Sequence, residues 1–434
     1  MKIPPRILLP VAAAVILAAG LLSLLWWQLR LSTQHLEQEF KRALTLPDGE
    51  GSIAITVTPI DASDRALLHL RQGDLFAVRG EWAAAQGEYE KSVQVGGGVT
   101  ALRKLAQAQL QRRDLSAVRS TIQKLRQEGV RVEDLLLLES IVQLRTGELV
   151  KAQAVLENAS DSPQKHYGLA LLAIIQGSHD RAKEELQGVL AGWDPVLRAN
   201  ARTLLAAYEE FALFPESSEL HLITLLSRAL AQVQECELAL PLLNAVTRQQ
   251  DDYRDAWIVQ GYCELVTERF TESLASLERA YSLDPEKPEI QYFLARAHAA
   301  LGDHRNAITF LQYALTNGFT PEKEARRIIA REAGELGDSE LELEQYRVVN
   351  DSPGADIQSF EKFITLAITL GKKEEAYVSA LKASVAFPKD AKAFELLGWA
   401  AQESGRPAEA RSALEKALAL DPTLESAHDR LEKL

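Results

Sequence analysis

The chain is poor in the residues that most catalytic and metal sites need. Its 434 residues include two cysteines, one methionine and only 6 per cent aromatics. No phosphate-binding glycine loop, nucleophile elbow or pair of zinc-binding histidines around a glutamate is present. The eight histidines are scattered, and His298 and His304, six positions apart, lack the spacing of ligands on one helix. The sequence therefore reads as a binding protein and not an enzyme, with no cofactor, metal or small-molecule substrate implied. Positive charge is also in deficit, with 48 Lys and Arg against 61 Asp and Glu, a net charge of −13. Residues 1–30 carry three basic and no acidic side chains, which leaves −16 on the remainder. Such a balance disfavours nucleic acid as a partner and is repelled by an anionic lipid surface. With 47 per cent hydrophobic and 25 per cent charged residues, the chain has enough apolar material for a large interior.

What is abundant is a repeated ladder of side-chain sizes. In its clearest copy, Trp257 precedes the small residue Gly261, and Ser273, Leu277, Ala280 and Pro285 follow at offsets of 12, 16, 19 and 24. The same offsets fit Gly398, Ala410, Leu414, Ala417 and Pro422, and again Ala295, Ala307, Leu311, Ala314 and Phe319. Weaker copies start at Gly73, Ala106, Ser140, Ala170, Ser227, Ala330 and Ile364. Two antiparallel helices approach closely only where one offers a small residue to the bulk of the other, and proline then ends the second helix. Seven residues after the small anchor, seven of the ten copies carry glycine: Gly80, Gly147, Gly177, Gly302, Gly337, Gly371 and Gly405. Glycine accepts the positive φ of a tight helix-to-helix turn.

A period of about 34 residues built this way reads as a stack of helix pairs. It resembles the tetratricopeptide repeat family, whose signature positions fall on Trp257, Gly261, Ser273, Leu277, Ala280 and Pro285. The resemblance implies an all-α fold, a right-handed α-α superhelix of about ten repeats. It also implies a concave groove, lined by the first helix of each pair, that holds a peptide or a partner helix. In the best copies the groove positions fall on Ile258, Tyr262 and Leu265, on Tyr292, Arg296 and Ala299, and on Glu395, Trp399 and Gln402. Tyr262, Tyr292 and Trp399 are the expected aromatic anchors, and Arg296 is suited to a carboxylate.

Anchor spacing exposes one irregularity. Successive anchors lie 30 to 35 apart except Ala170 to Ser227, which are 57 apart, a surplus of about one helix. The expected organisation is four repeats over 64–194, an extra helix and break over 195–219, six repeats over 220–423 and a capping helix over 424–434. The extra helix is placed at 195–214, with proline in its first turn.

Before the repeats, residues 1–6 form a short basic tail, and residues 7–29 contain no charge over a length that spans a hydrocarbon layer. Trp26, Trp27 and Arg30 stand where a membrane interface favours them. This reads as an uncleaved transmembrane helix in the plasma or inner membrane, with the N-terminus cytoplasmic and the repeats outside. Residues 30–63 then form a juxtamembrane helix and tether. Cys236 and Cys263 fall on helices that pack together in the family, so a disulfide is geometrically open to them, as are two buried thiols. Two roles follow for such a chain. One is a membrane-anchored scaffold that recruits protein partners to an envelope complex. The other is a chaperone-like holder of unfolded secreted or membrane clients.

Overall fold

The computed structural model describes residues 62–434; the expected transmembrane helix, its interfacial Trp26, Trp27 and Arg30, and nearly all of the tether lie outside the described residues. Among the described residues there are 22 helices, no strand, and no helix long and apolar enough to cross a membrane. The first four pairs are α1 (Ala62–Val78) with α2 (Trp82–Gln94), α3 (Gly98–Gln111) with α4 (Leu115–Gln127), α5 (Val132–Arg145) with α6 (Leu149–Glu157), and α7 (Pro163–Ile175) with α8 (His179–Ala191). A lone helix, α9 (Pro195–Ala212), follows. Six more pairs are α10 (Glu219–Gln232) with α11 (Cys236–Gln249), α12 (Arg254–Val266) with α13 (Phe270–Leu283), α14 (Pro288–Ala300) with α15 (His304–Thr316), α16 (Glu322–Glu335) with α17 (Ser339–Asp351), α18 (Ile357–Thr369) with α19 (Lys373–Ala386), and α20 (Ala391–Glu403) with α21 (Pro407–Leu420). The short helix α22 (Glu425–Leu431) closes the array.

The size ladder is a packing device. A Cβ on Gly261 would stand 2.5 Å from Leu277 Cγ, and one on Gly398 would stand 2.5 Å from Leu414 Cγ, distances that no side chain tolerates. Ser273 is fully buried and donates its hydroxyl to the Gly261 carbonyl at 2.7 Å, so the offset-12 position also satisfies a polar group inside the pair. The tight turns have the expected backbone: all seven ladder glycines have φ between 71° and 78°. The three remaining turns hold the same left-handed conformation with Arg113, Gln234 and Glu268, at φ 61°, 69° and 62°.

Helix starts follow local chemistry. Proline occupies the first turn of α7, α9, α14 and α21, where its missing N–H costs nothing. Asp194 caps α9 by accepting from the amides of Val196 and Leu197 at 2.9 and 3.1 Å. Helix α9 buries one face through Leu197, Ala201, Leu204 and Ala207 and has no second helix of its own before α10 begins. One apolar cluster then runs from Ile141 to Cys263, whereas the later repeats are held by smaller separate clusters.

Candidate functional site: the groove of repeats five to eight

Groove positions follow from the anchor offsets, and their fate differs along the array. In α12 and α14, Ile258, Tyr262, Arg296 and Ala299 remain partly exposed, while Leu265 and Tyr292 are buried. The first helices α10, α12 and α14, together with the end of α9, line an open cavity of about 560 Å³. Its wall is Leu225, Ile258, Val259, Tyr262 and Phe293, an apolar and aromatic body with room for several side chains of a bound segment. The Tyr262 and Phe293 rings lean together with centroids 5.3 Å apart and 53° between planes. His221 Nδ1 and the Tyr253 hydroxyl pair at 2.8 Å on the opposite wall. Burial pushes the Tyr253 phenol up from its ordinary range, so it stays a neutral hydroxyl.

The rim is charged but balanced. Arg228 pairs with Glu210, Arg254 with Asp255 at 2.8 Å, and Lys287 with Glu289 at 3.6 Å. Three cations are thus met by three carboxylates, and the rim orients an incoming chain without selecting one sign of charge.

A second, more polar hollow of about 650 Å³ continues the groove across α14 and α16, lined by Tyr292, Arg296, Ala299, Arg327 and Arg331. Arg296 lies over the Tyr292 ring, 5.7 Å from its centroid. Tyr292 itself is only 5 per cent exposed, stacks on Phe319 at 4.2 Å, and donates its hydroxyl to Glu324. It therefore shapes the groove floor more than it offers a free anchor. Trp399 is covered by the Arg430 guanidinium of α22, 4.4 Å above its ring, while Glu395 at the same level is buried beside Lys392. Of the four groove residues singled out from the sequence, Tyr262, Arg296 and Tyr292 line the hollows, Tyr292 being buried and engaged within the chain, as Trp399 is by Arg430. The residues missed were His221, Tyr253 and Phe293. The signal for them was faint, because Phe293 lies one position after the groove offset at Tyr292, His221 three positions before its own at Thr224, and Tyr253 in a loop between repeats.

The two cysteines meet. Cys236, at the start of α11, and Cys263, in α12, are fully buried, with Cα atoms 5.0 Å apart, and the structure joins them as a disulfide.

The geometry defines a helical-repeat solenoid with an open concave groove in its second half. Residues 224–321 and 391–424 match models of the tetratricopeptide repeat, and those segments are tetratricopeptide repeats. No curated protein matches the chain. The chain is similar, at low identity, to several solved structures. YrrB, described as a TPR protein with an unusual peptide-binding site, is 17% identical over 44% of this chain and 98% of its own, with a TM-score of 0.37. PilW, described as a type IV pilus biogenesis factor, is 15% identical over 50% of this chain and 100% of its own, with a TM-score of 0.36. A tetratricopeptide repeat protein from Parabacteroides merdae is 14% identical over 61% of this chain and 98% of its own, with a TM-score of 0.33.

Proposed function

We propose that the chain is a membrane-anchored scaffold, not an enzyme, that holds protein partners in the groove of repeats five to eight. Tetratricopeptide repeats are modules that bind proteins and peptides, and the observation that carries the reading is the aromatic cavity around Tyr262. A preformed apolar and aromatic pocket, continued by a polar hollow at Arg296, favours a defined segment over indiscriminate clients. This supports a scaffold over a chaperone-like holder, since a holder gains from shallow, sequence-tolerant contacts. The apolar stretch at 7–29 supports anchorage, and the disulfide supports an oxidising compartment outside the cytoplasm. Components of an envelope complex are the partners that fit this placement.

Affinity capture from detergent-solubilised membranes tests the groove. The double substitution of Tyr262→Ala and Arg296→Ala should remove stoichiometric partners while helicity is retained, and Trp399→Ala should leave them. Equal recovery with the double variant sinks the groove assignment. Reporter fusions at the C-terminus test the side of the membrane, and a cytoplasmic signal overturns the envelope role.

A further inference from the structure

In the first half, most of the residues at groove positions are buried within the chain. Applying the groove offsets to α5 and α7 gives Leu137, Ile141 and Leu144, then Tyr167, Leu171 and Ile174. The last five are all buried, and they share one apolar cluster with Val233 from the turn between α10 and α11 and with Cys236 and Leu238 from the first turn of α11. That turn lies about ninety residues downstream of α5, and it is seated by ions.

Arg145, at the end of α5, grips Glu235 with two hydrogen bonds of 2.8 and 3.1 Å. It also donates to the Gln234 carbonyl at 3.0 Å and to the Leu110 carbonyl at 3.1 Å. Arg113, in the turn between α3 and α4, donates to the same Gln234 carbonyl at 3.4 Å and pairs with Glu237. Arg145 and Glu235 are 4 and 6 per cent exposed, so this is a desolvated, hydrogen-bonded pair and not a surface contact. Burial pushes the Glu235 carboxyl up, against the pull of Arg145.

The backbone gives an independent sign. Only three of the ten helix-to-helix turns hold a left-handed conformation without glycine, and two of them, Arg113 and Gln234, are the two that meet here. A non-glycine residue at positive φ is strained, and strain of this kind persists where surrounding contacts over-determine it.

We propose that the groove of repeats two to four is a second partner-binding face, kept filled in cis by the turn 233–237. Its chemistry is read from its present occupant: two carboxylates, Glu235 and Glu237, separated by one residue and met by Arg145 and Arg113, with apolar side chains on either side. A partner presenting such an acidic, apolar-flanked segment competes with the turn. Gln234 also lines the cavity around Tyr262, so a partner seated there touches the plug from its other side. This proposal concerns a groove distinct from that of repeats five to eight, and it stands or falls without it.

The test uses the full chain with Glu235→Gln and Glu237→Gln together, which weakens the plug and keeps both arginines. Hydrogen exchange at 137–145 and 232–238 should rise about tenfold or more, with α14 to α21 unchanged. A synthetic peptide of residues 229–241, carrying serine in place of Cys236, should bind the double variant, not the unaltered chain, and lose binding when Arg145→Gln is added. Glu237→Gln alone, at the more accessible edge, should show the same pattern at smaller amplitude. Unchanged exchange in both variants, exchange rising evenly across all helices, or an opened groove that ignores the peptide would each overturn the proposal.

Discussion

At the scale of single residues, two turns with one backbone conformation should answer the same substitution with opposite signs. Glu268 and Arg113 both sit at positive φ, 62° and 61°. Glycine at 268 relieves a cost of about 1 kcal/mol, so Glu268→Gly should raise the denaturation midpoint. Arg113→Gly relieves the same strain but deletes the cation that meets Glu237 and Gln234, and it should lower the midpoint. Parallel midpoints in the two variants would show that Arg113 contributes nothing beyond its turn. Inside the sixth pair, Gly261→Ala should cost about 1–3 kcal/mol, because its Cβ meets Leu277 and overpacking must be relieved by moving a helix. A fourth residue bears on pH. Glu264 is buried, accepts from Ser276 at 2.6 Å and from Gln260 at 3.0 Å, and burial raises its carboxyl above the ordinary range. Its folded pKa exceeds its unfolded one, so its contribution is fully present at low pH and is lost as pH rises through the folded value. Glu264→Gln should therefore be more stable than the parent near pH 8, with the difference shrinking toward pH 4 in thermal melts.

At the scale of elements, α9 is the piece that turns the array back on itself. A helix without a second helix offsets the pair that follows, and that pair, α10 with α11, is the one whose turn reaches α5. Deleting 195–218 should let repeat five stack directly on repeat four. The variant should keep the helicity of the remaining chain, lose protection at 137–145, and give a larger radius of gyration by small-angle scattering. An unchanged radius and unchanged protection would mean that closure does not depend on α9. Much of this architecture was legible beforehand. Steric rules with a fixed period, such as Gly261 against Leu277 and glycine in the turns, place each helix pair from local sequence alone. The 57-residue gap between Ala170 and Ser227 located a lone helix at 195–214, where the structure has Pro195–Ala212. The contact of the 233–237 turn with α5 was not legible, because Arg145 and Glu235 are 90 positions apart and no periodicity links them. Its one trace was the absence of glycine at Arg113 and Gln234, which acquires meaning only once the two turns are known to touch. The groove was legible as positions and not as accessibility. Whether Tyr292 or Trp399 is free depends on Phe319, Glu324 and Arg430, each contributed by another turn or helix.

At the scale of the whole molecule, closure divides an array that would otherwise be one-dimensional. In a linear stack each repeat touches only its neighbours, and stability is a sum of local and nearest-neighbour contributions. Here α11 returns to α5, one apolar cluster spans Ile141 to Cys263, and a disulfide ties α11 to α12. Repeats three to six thus gain contacts that a linear stack lacks, while repeats seven to ten keep only neighbour contacts across separate clusters. Cooperativity should follow this division. Urea unfolding should show two transitions, the earlier one releasing residues 288–434 and the later one residues 132–266, resolved by hydrogen exchange at intermediate denaturant. Substituting Cys236→Ser removes a cross-link that closes a loop of 27 residues, worth about 3–4 kcal/mol in the chain-entropy account. It should move the later transition and leave the earlier one in place. A single transition carrying both segments would mean that the distal repeats are as tightly coupled as the closed ones. In that case the groove around Tyr262 and Arg296, which spans the boundary, would be a rigid surface and not a hinge between a closed body and a looser arm.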